Sequence, residues 1–181
     1  MLEFASFFHK KARFRADGLA SQEGISFTQK TIWMHCASLG EFGQERPVLE
    51  TLKQQYPNYP VVVSFFSPSG YEQRKNDPIA DAVLYLPVDT KRNAKQIIHQ
   101  INPALVLWVK YEYWLNHLFE LKRNNIPVLL VSGIFRPNQP FFKPFGKLWR
   151  DALSCFTHLF VQNQESISLL NSIDVNNNVT I

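Results

Sequence analysis

Seven short runs rich in β-branched and aliphatic residues recur along this chain: Thr31 to Ala37, Val61 to Phe66, Ala82 to Leu86, Ala104 to Val109, Val128 to Val131, His158 to Val161 and Val179 to Ile181. Most are apolar at consecutive positions, so both faces of each strand must be covered. Between them, Gln44 to Gln55, Arg92 to Gln100 and Tyr113 to Arg123 place apolar residues at helical spacing. Pro57, Pro103 and Pro127 stand just beyond these segments and read as stops before the next strand. Two-faced strands alternating with helices predict a doubly wound, Rossmann-like α/β domain with a parallel sheet. Such a fold binds ligands outside the carboxyl ends of its strands, so functional residues are sought there.

The chain has 181 residues, 45% of them hydrophobic, enough for one domain with a sizeable core. We expect residues 31–181 to form that domain, behind a basic and aromatic arm, residues 1–30. The arm mixes Phe4, Phe7, Phe8 and Phe14 with Lys10, Lys11, Arg13 and Arg15. It suits either an anionic bilayer surface or packing against the domain with its charges solvated. Phe135 to Phe145, with Pro137, Pro140 and Pro144 among phenylalanines, predicts an ordered aromatic loop, and Asn176 to Asn178 a turn. No repeat and no low-complexity segment is visible.

A net charge of +4 favours anionic partners without choosing among phosphates, nucleic acid and an acidic membrane surface. No apolar run approaches the roughly 18 residues of a membrane span, and the charged start is unlike a secretory signal. Cys36 and Cys155 lie in or beside apolar runs without CxxC spacing, which suggests buried, reduced thiols in a cytosolic protein. His9, His35, His99, His117 and His158 are scattered without ligand spacing, so no metal site is expected.

Four strand ends carry candidate chemistry. After the first comes Ser38-Leu39-Gly40-Glu41-Phe42-Gly43, a small-residue turn that delivers Glu41 to the first turn of a helix. Glu41 is either a helix-start acid favoured by the helix dipole or a general base at the mouth of the cleft. The spacing is near GxGxxG, yet no acidic residue follows the second strand to bind a ribose, which argues against a dinucleotide. The second strand runs into Ser67-Pro68-Ser69-Gly70, an ordinary helix start or an anion site made of hydroxyls and backbone N–H groups. The fourth ends in Lys110-Tyr111-Glu112-Tyr113-Trp114, where Lys110 and Glu112 are costly to bury without a role. The fifth leads to Arg136, a solvated charge or a grip on phosphate or carboxylate.

These residues carry a resemblance. His35-Cys36-Ala37-Ser38-Leu39-Gly40-Glu41 is similar to the H-x-x-S-[VL]-G-E signature of 3-deoxy-D-manno-octulosonic acid (Kdo) transferases. Ser67-Pro68-Ser69-Gly70 resembles that family's S/T-P-T/S-G, Tyr85-Leu86-Pro87-Val88-Asp89 its YLP-x-D, and Glu112-Tyr113-Trp114 its E-L/F-W; Phe135-Arg136 matches less closely. The likeness spans about residues 31–175 in the right order and looks like the Bacteroidetes-type variant. Val109-Lys110-Tyr111 replaces the commoner M-E-T, and Leu115 stands where a proline is usual.

The resemblance implies the N-terminal, acceptor-binding half of a B-type, two-domain inverting glycosyltransferase. CMP-Kdo would be held mainly by a C-terminal domain beyond this chain, and no metal or cofactor would be needed. Glu41 would be the base that deprotonates the 6'-hydroxyl of the lipid A precursor. Ser38, Gly40, Ser67, Ser69, Gly70, Lys110, Glu112 and Arg136 would shape the acceptor side. It further implies a place at the cytoplasmic face of the inner membrane, peripheral or N-terminally anchored, with no nucleic-acid partner. The chain is expected to be trimmed at both ends and to be inactive alone. Two rivals share the fold: a non-catalytic anion- or lipid-binding Rossmann domain at the membrane surface, and a sugar-nucleotide epimerase or dehydrogenase.

Overall fold

The computed structural model describes residues 13–20, 22, 24–176 and 178–181. A helix, α1, covers residues 13–20. After it come β1 (Thr31–Cys36), α2 (Leu39–Gln55), β2 (Val61–Phe65), α3 (Pro68–Arg74), β3 (Ala82–Tyr85), α4 (Lys91–Ile101) and β4 (Pro103–Val109). Then follow α5 (Leu115–Arg123), β5 (Val128–Gly133), α6 (Lys147–Leu153), β6 (His158–Val161), α7 (Gln164–Asn171) and β7 (Val179–Thr180). The seven strands form one sheet in the order β3-β2-β1-β4-β5-β6-β7, and every neighbouring pair is parallel. This is the doubly wound fold expected from the alternation of elements.

Two cores explain the two-faced strands. Side chains alternate along a strand, so Ile32, Met34 and Cys36 of β1 join Val61, Val63 and Phe65 of β2 beneath Phe42 and Leu49 of α2. Trp33, Val62, Val106 and Trp108 enter the opposite core with Ile97 and Ile101 of α4, Leu118 and Leu121 of α5, and Leu153 of α6. Each buried aliphatic side chain contributes about 1.5–3 kcal/mol relative to exposure, and here both faces of the central strands gain it. Cys36 and Cys155 are buried and unpaired, and burial raises both thiol pKa values.

Element boundaries differ from the expected ones where local chemistry intervenes. Helix α2 begins at Leu39, five residues before the run of helical spacing at Gln44, with Glu41 in its first turn as the Ser38–Gly43 motif predicts. Pro103 is the first residue of β4, an edge-of-strand position that needs no ladder donor there, so it opens the strand as well as ending α4. Short α3, α6 and α7 lie under segments with too little periodicity to be read from spacing. The aromatic loop holds one 3-10 turn, Pro140–Phe142, with Phe141 packed against Phe135, Tyr113 and Trp149. Residue 177 of the expected Asn176 to Asn178 turn lies outside the described residues, as do Phe4, Phe7, Phe8, His9, Lys10 and Lys11 of the arm.

The described end of the arm is packed onto the domain. Gln22 places its side-chain amide against edge strand β3, donating to Tyr85 O (3.0 Å) and accepting from Tyr85 N (2.8 Å), as a neighbouring strand would. Phe27 N–H donates to Gln100 O (2.9 Å), and Asn102 Nδ2 donates to Thr28 O and Gln29 O, fixing the chain along α4 before it enters β1. Among the described residues, no helix is long and apolar enough to cross a membrane.

Candidate active site

The strand order reverses between β1 and β4, because the chain leaves β1 towards β2 on one side and continues from β4 towards β5 on the other. A doubly wound sheet opens a crevice at such a point, outside the carboxyl ends of its strands. The loops bordering it are Ala37–Gly40, leading into α2, and Lys110–Trp114, leading into α5.

Glu41 stands at the third position of α2. Its Oε2 accepts from Ala37 N (2.6 Å) and Ser38 N (3.2 Å), so the carboxylate reaches back over its own helix start. Oε1 has no hydrogen-bond partner among the described residues. Burial pushes the Glu41 carboxyl above the ordinary range against the pull of these two N–H groups; the neighbouring Glu112 charge adds to the rise and Lys110 opposes it. One oxygen thus serves the helix start, the first of the alternatives weighed from sequence, and the other is left without a partner among the described residues.

Glu112 is the opposite case. Its Oε2 lies 3.1 Å from His35 Nε2 and accepts from Trp114 Nε1 at 2.8 Å. Burial pushes its carboxyl up, but the hydrogen bonds from His35 and Trp114, with the Arg15 cation nearby, outweigh that and hold it low. With Glu112 ionised, His35 Nε2 must carry the hydrogen. Nδ1 lies 2.9 Å from the Ser64 hydroxyl, and Ser64 Oγ accepts from Trp33 Nε1 at 2.8 Å. His35, Ser64 and Trp33 are fully buried, so this chain of bonds satisfies polar groups that would otherwise cost about 1–3 kcal/mol each. It links the first strand's motif to the fourth strand's acid.

The remaining candidates fall into three groups. Lys110 borders the same crevice: it lies in the left-handed region (φ +58°) at the end of β4, and its ammonium donates to Gln44 of α2. Its conformation costs a non-glycine residue about 1–2 kcal/mol and turns the chain across the top of the sheet. Ser38 caps α2, and Gly40 is exposed, with nothing within 4 Å of where a Cβ would lie. Ser67 caps α3: its hydroxyl lies 2.9 Å from that of Ser69, and its N–H donates to Ala37 O (3.0 Å), which staples this turn to the Glu41 loop. Gly70 is buried, and a Cβ there would sit 2.3 Å from the Phe65 ring, so packing requires it. Arg136 is exposed on the β5 side; its backbone N–H bonds Gln139, and its guanidinium contacts none of the other candidates.

Two residues emerge that spacing did not single out as site residues. Arg15 of α1 donates to the carbonyls of Phe66 (2.6 Å) and Leu86, at the ends of β2 and β3, and stacks 4.0 Å from the centre of the Phe66 ring. His35 was visible only as part of a motif. Conversely, Asp89 of the YLP-x-D element is a structural residue: its carboxylate accepts from Asn116 N (3.1 Å), His117 N (3.2 Å) and His117 Nδ1 (2.6 Å), capping α5. No sequence signal could pair it with residues 27 and 28 positions away.

With this geometry in place, comparison with known proteins is direct. Residues 9–181 match the family model of the 3-deoxy-D-manno-octulosonic-acid transferases (kdotransferases). The chain belongs to this family. A bifunctional glycosyltransferase/methyltransferase of Fusobacterium nucleatum is 26% identical over 140 residues, 75% of this chain and 22% of that protein. The 3-deoxy-D-manno-octulosonic acid transferase of Chlamydophila psittaci is 29% identical over 126 residues, 66% of this chain and 29% of that protein. The match to each relative therefore takes in less than a third of the relative's length. Among solved structures, the UDP-GlcNAc 2-epimerase of Neisseria meningitidis bound to UDP-GlcNAc superposes with a TM-score of 0.61 at 15% identity, over 84% of this Kdo-transferase-family chain and 46% of that one. That likeness is one of fold alone.

Proposed function

We propose that this domain forms the acceptor side of an inverting Kdo transferase, with Glu41 as the general base. The observation that carries the proposal is the Glu41 carboxylate, held at the switch-point crevice by two backbone N–H groups, with a raised pKa and one oxygen unengaged. A hydroxyl attacking an anomeric carbon must lose its proton as the new bond forms, and a base within hydrogen-bond reach, with its pKa raised towards the working pH, accelerates that step. The acceptor oxygen bonds to the anomeric carbon of Kdo, the bond to the CMP phosphate breaks with inversion, and the proton passes to Glu41. Glu112, kept ionised, and Lys110 orient the acceptor. Ser38, Gly40, Ser67, Ser69 and Gly70 shape the crevice, and Arg136 lies further out on the β5 side as a cation for an acceptor phosphate.

In this reading the donor is CMP-Kdo, bound largely by a C-terminal domain outside residues 31–181, and the acceptor is the lipid A precursor. The reaction needs no metal or cofactor, nucleic acid is not a partner, and the enzyme works at the cytoplasmic face of the inner membrane. Family membership and the motif geometry support it. The test is transfer from CMP-Kdo to a tetraacylated lipid A precursor by the full-length enzyme, wild type beside Glu41→Gln. Glutamine preserves the bonds to Ala37 and Ser38 but cannot accept the proton. A fall of about a hundredfold or more with acceptor still bound supports the base; equal activity removes it, and no transfer by wild type removes the proposed reaction.

A further inference from the structure

We propose that Arg15 is a positioning residue, a planar clamp that ties the N-terminal helix to the carboxyl edge of the sheet and, through Phe66 and Trp114, fixes the orientation of Glu112. The part of this that concerns catalysis rests on the transfer reaction proposed above. The part that concerns geometry does not.

The contacts form a continuous path. The two terminal nitrogens of Arg15 donate to Phe66 O and Leu86 O, bridging the first residues beyond β2 and β3. The guanidinium plane lies over the Phe66 ring, 4.0 Å from its centre. Phe66 in turn packs on Trp114, with ring centres 4.6 Å apart at 48°. The Trp114 indole N–H donates to Glu112 Oε2 at 2.8 Å. On its far side the Phe66–Ser67 turn is held by Ser67 N–H to Ala37 O (3.0 Å), beside the loop that Glu41 anchors. Arg15 therefore closes the free flank of a turn whose other flank belongs to the base.

Only a guanidinium has the shape for this. It presents a fork of N–H donors in one plane, so it can bridge two carbonyls while its face stays stacked on an aromatic ring. An ammonium on a lysine would keep the positive charge and lose the fork and the stacking. Arg15→Lys and Arg15→Met thus separate geometry from charge. Glu112 is also faced by His35 from β1, by Trp114 two residues on and by the Glu41 charge, with Lys110 on the same loop; both variants keep these residues, and of them only Trp114 lies on the path from Arg15.

The experiment has two arms. In the 181-residue chain, NMR follows the Trp114 indole N–H and the titration of the Glu112 carboxyl in wild type, Arg15→Met and Arg15→Lys. In the full-length enzyme, kcat for transfer from CMP-Kdo to the lipid A precursor is measured for the same three. We expect Arg15→Met to move the Trp114 resonance, to let Glu112 titrate at higher pH, and to lower kcat about tenfold or more through misplacement of the site. Arg15→Lys should also move the Trp114 resonance, raise the Glu112 titration less than methionine does because the charge stays, and leave the rate unrestored. An unmoved Trp114 resonance in Arg15→Met overturns the clamp, as does full rescue of kcat by lysine. Should Arg15→Met fail to fold, the lysine variant decides alone by the Trp114 resonance and kcat. Absence of transfer by wild type counts against the proposed reaction, while the NMR arm still decides the clamp.

Discussion

The two carboxylates beside the crevice face the same solvent and differ in what holds them. Glu41 is fixed by backbone N–H groups of its own loop, and burial together with the charge of Glu112 moves its pKa up. Glu112 is fixed by side chains, His35 from β1 and Trp114 of its own loop, and its pKa moves down despite burial. Groups whose environments push their pKa values apart are suited to different tasks. In the proposed reaction one takes the proton and the other stays ionised. Each carboxyl accepts two hydrogen bonds and each is pushed up by burial; at Glu112 the bonds from His35 and Trp114 and the Arg15 cation outweigh that push, and at Glu41 the two backbone N–H groups do not.

The strongest way to break this contrast is Glu41→Gln, with its expected hundredfold or greater loss of kcat in the full-length enzyme. If Glu112→Gln proves the more damaging, the roles are reversed. Next in size is His35→Ala, which leaves Ser64 and Glu112 without their shared partner. We expect a loss of about 1–3 kcal/mol in urea unfolding of this chain, before any cost of the cavity; an unchanged midpoint would show that the buried chain of bonds is not holding Glu112.

The pH profile sharpens the contrast further. A base with a raised pKa loses its charge at a higher pH than an unperturbed glutamate, so the acid limb of the activity should lie above that of an ordinary carboxylate. Because the Glu112 charge contributes to the rise, Glu112→Gln should move that acid limb to lower pH; a limb that stays put, or moves up, would show that the two groups do not sense each other. The smallest expected effect belongs to Gly40→Ala. A methyl there meets nothing within 4 Å, so helix propensity should stabilise the chain by up to about 1 kcal/mol in thermal unfolding. If the crevice beside Glu41 receives the acceptor, the same methyl should raise the acceptor KM.

How much of this was legible beforehand depends on how far apart the partners lie in sequence. The alternation of apolar runs and helical segments gave the sheet, its parallel strands and the two cores, because side-chain periodicity is a local property. The placement of Glu41 at the first turn of α2 was legible for the same reason: Ser38 and Glu41 are three residues apart, and the helix start organises itself. Gly70, read as part of either an ordinary helix start or an anion site, is also required by the Phe65 ring, a contact that only β2 packed against α3 creates. Asp89 belonged to a recognisable motif, yet its task of capping α5 is visible only once the sheet sets β3 and β4 on either side of β2 and β1.

The amino-acid sequence by itself thus determined which segments are strands, which faces they bury and where the carboxyl edge must open, since these follow from periodicity and from chemistry within a few residues. Tertiary structure alone decided that His35 and Glu112, 77 residues apart, would share a hydrogen bond, and that Arg15 would reach carbonyls 51 and 71 residues away. Parallel strands are joined by long crossovers, so the residues that meet at their ends are distant along the chain by construction of the fold, and no local pattern can announce them.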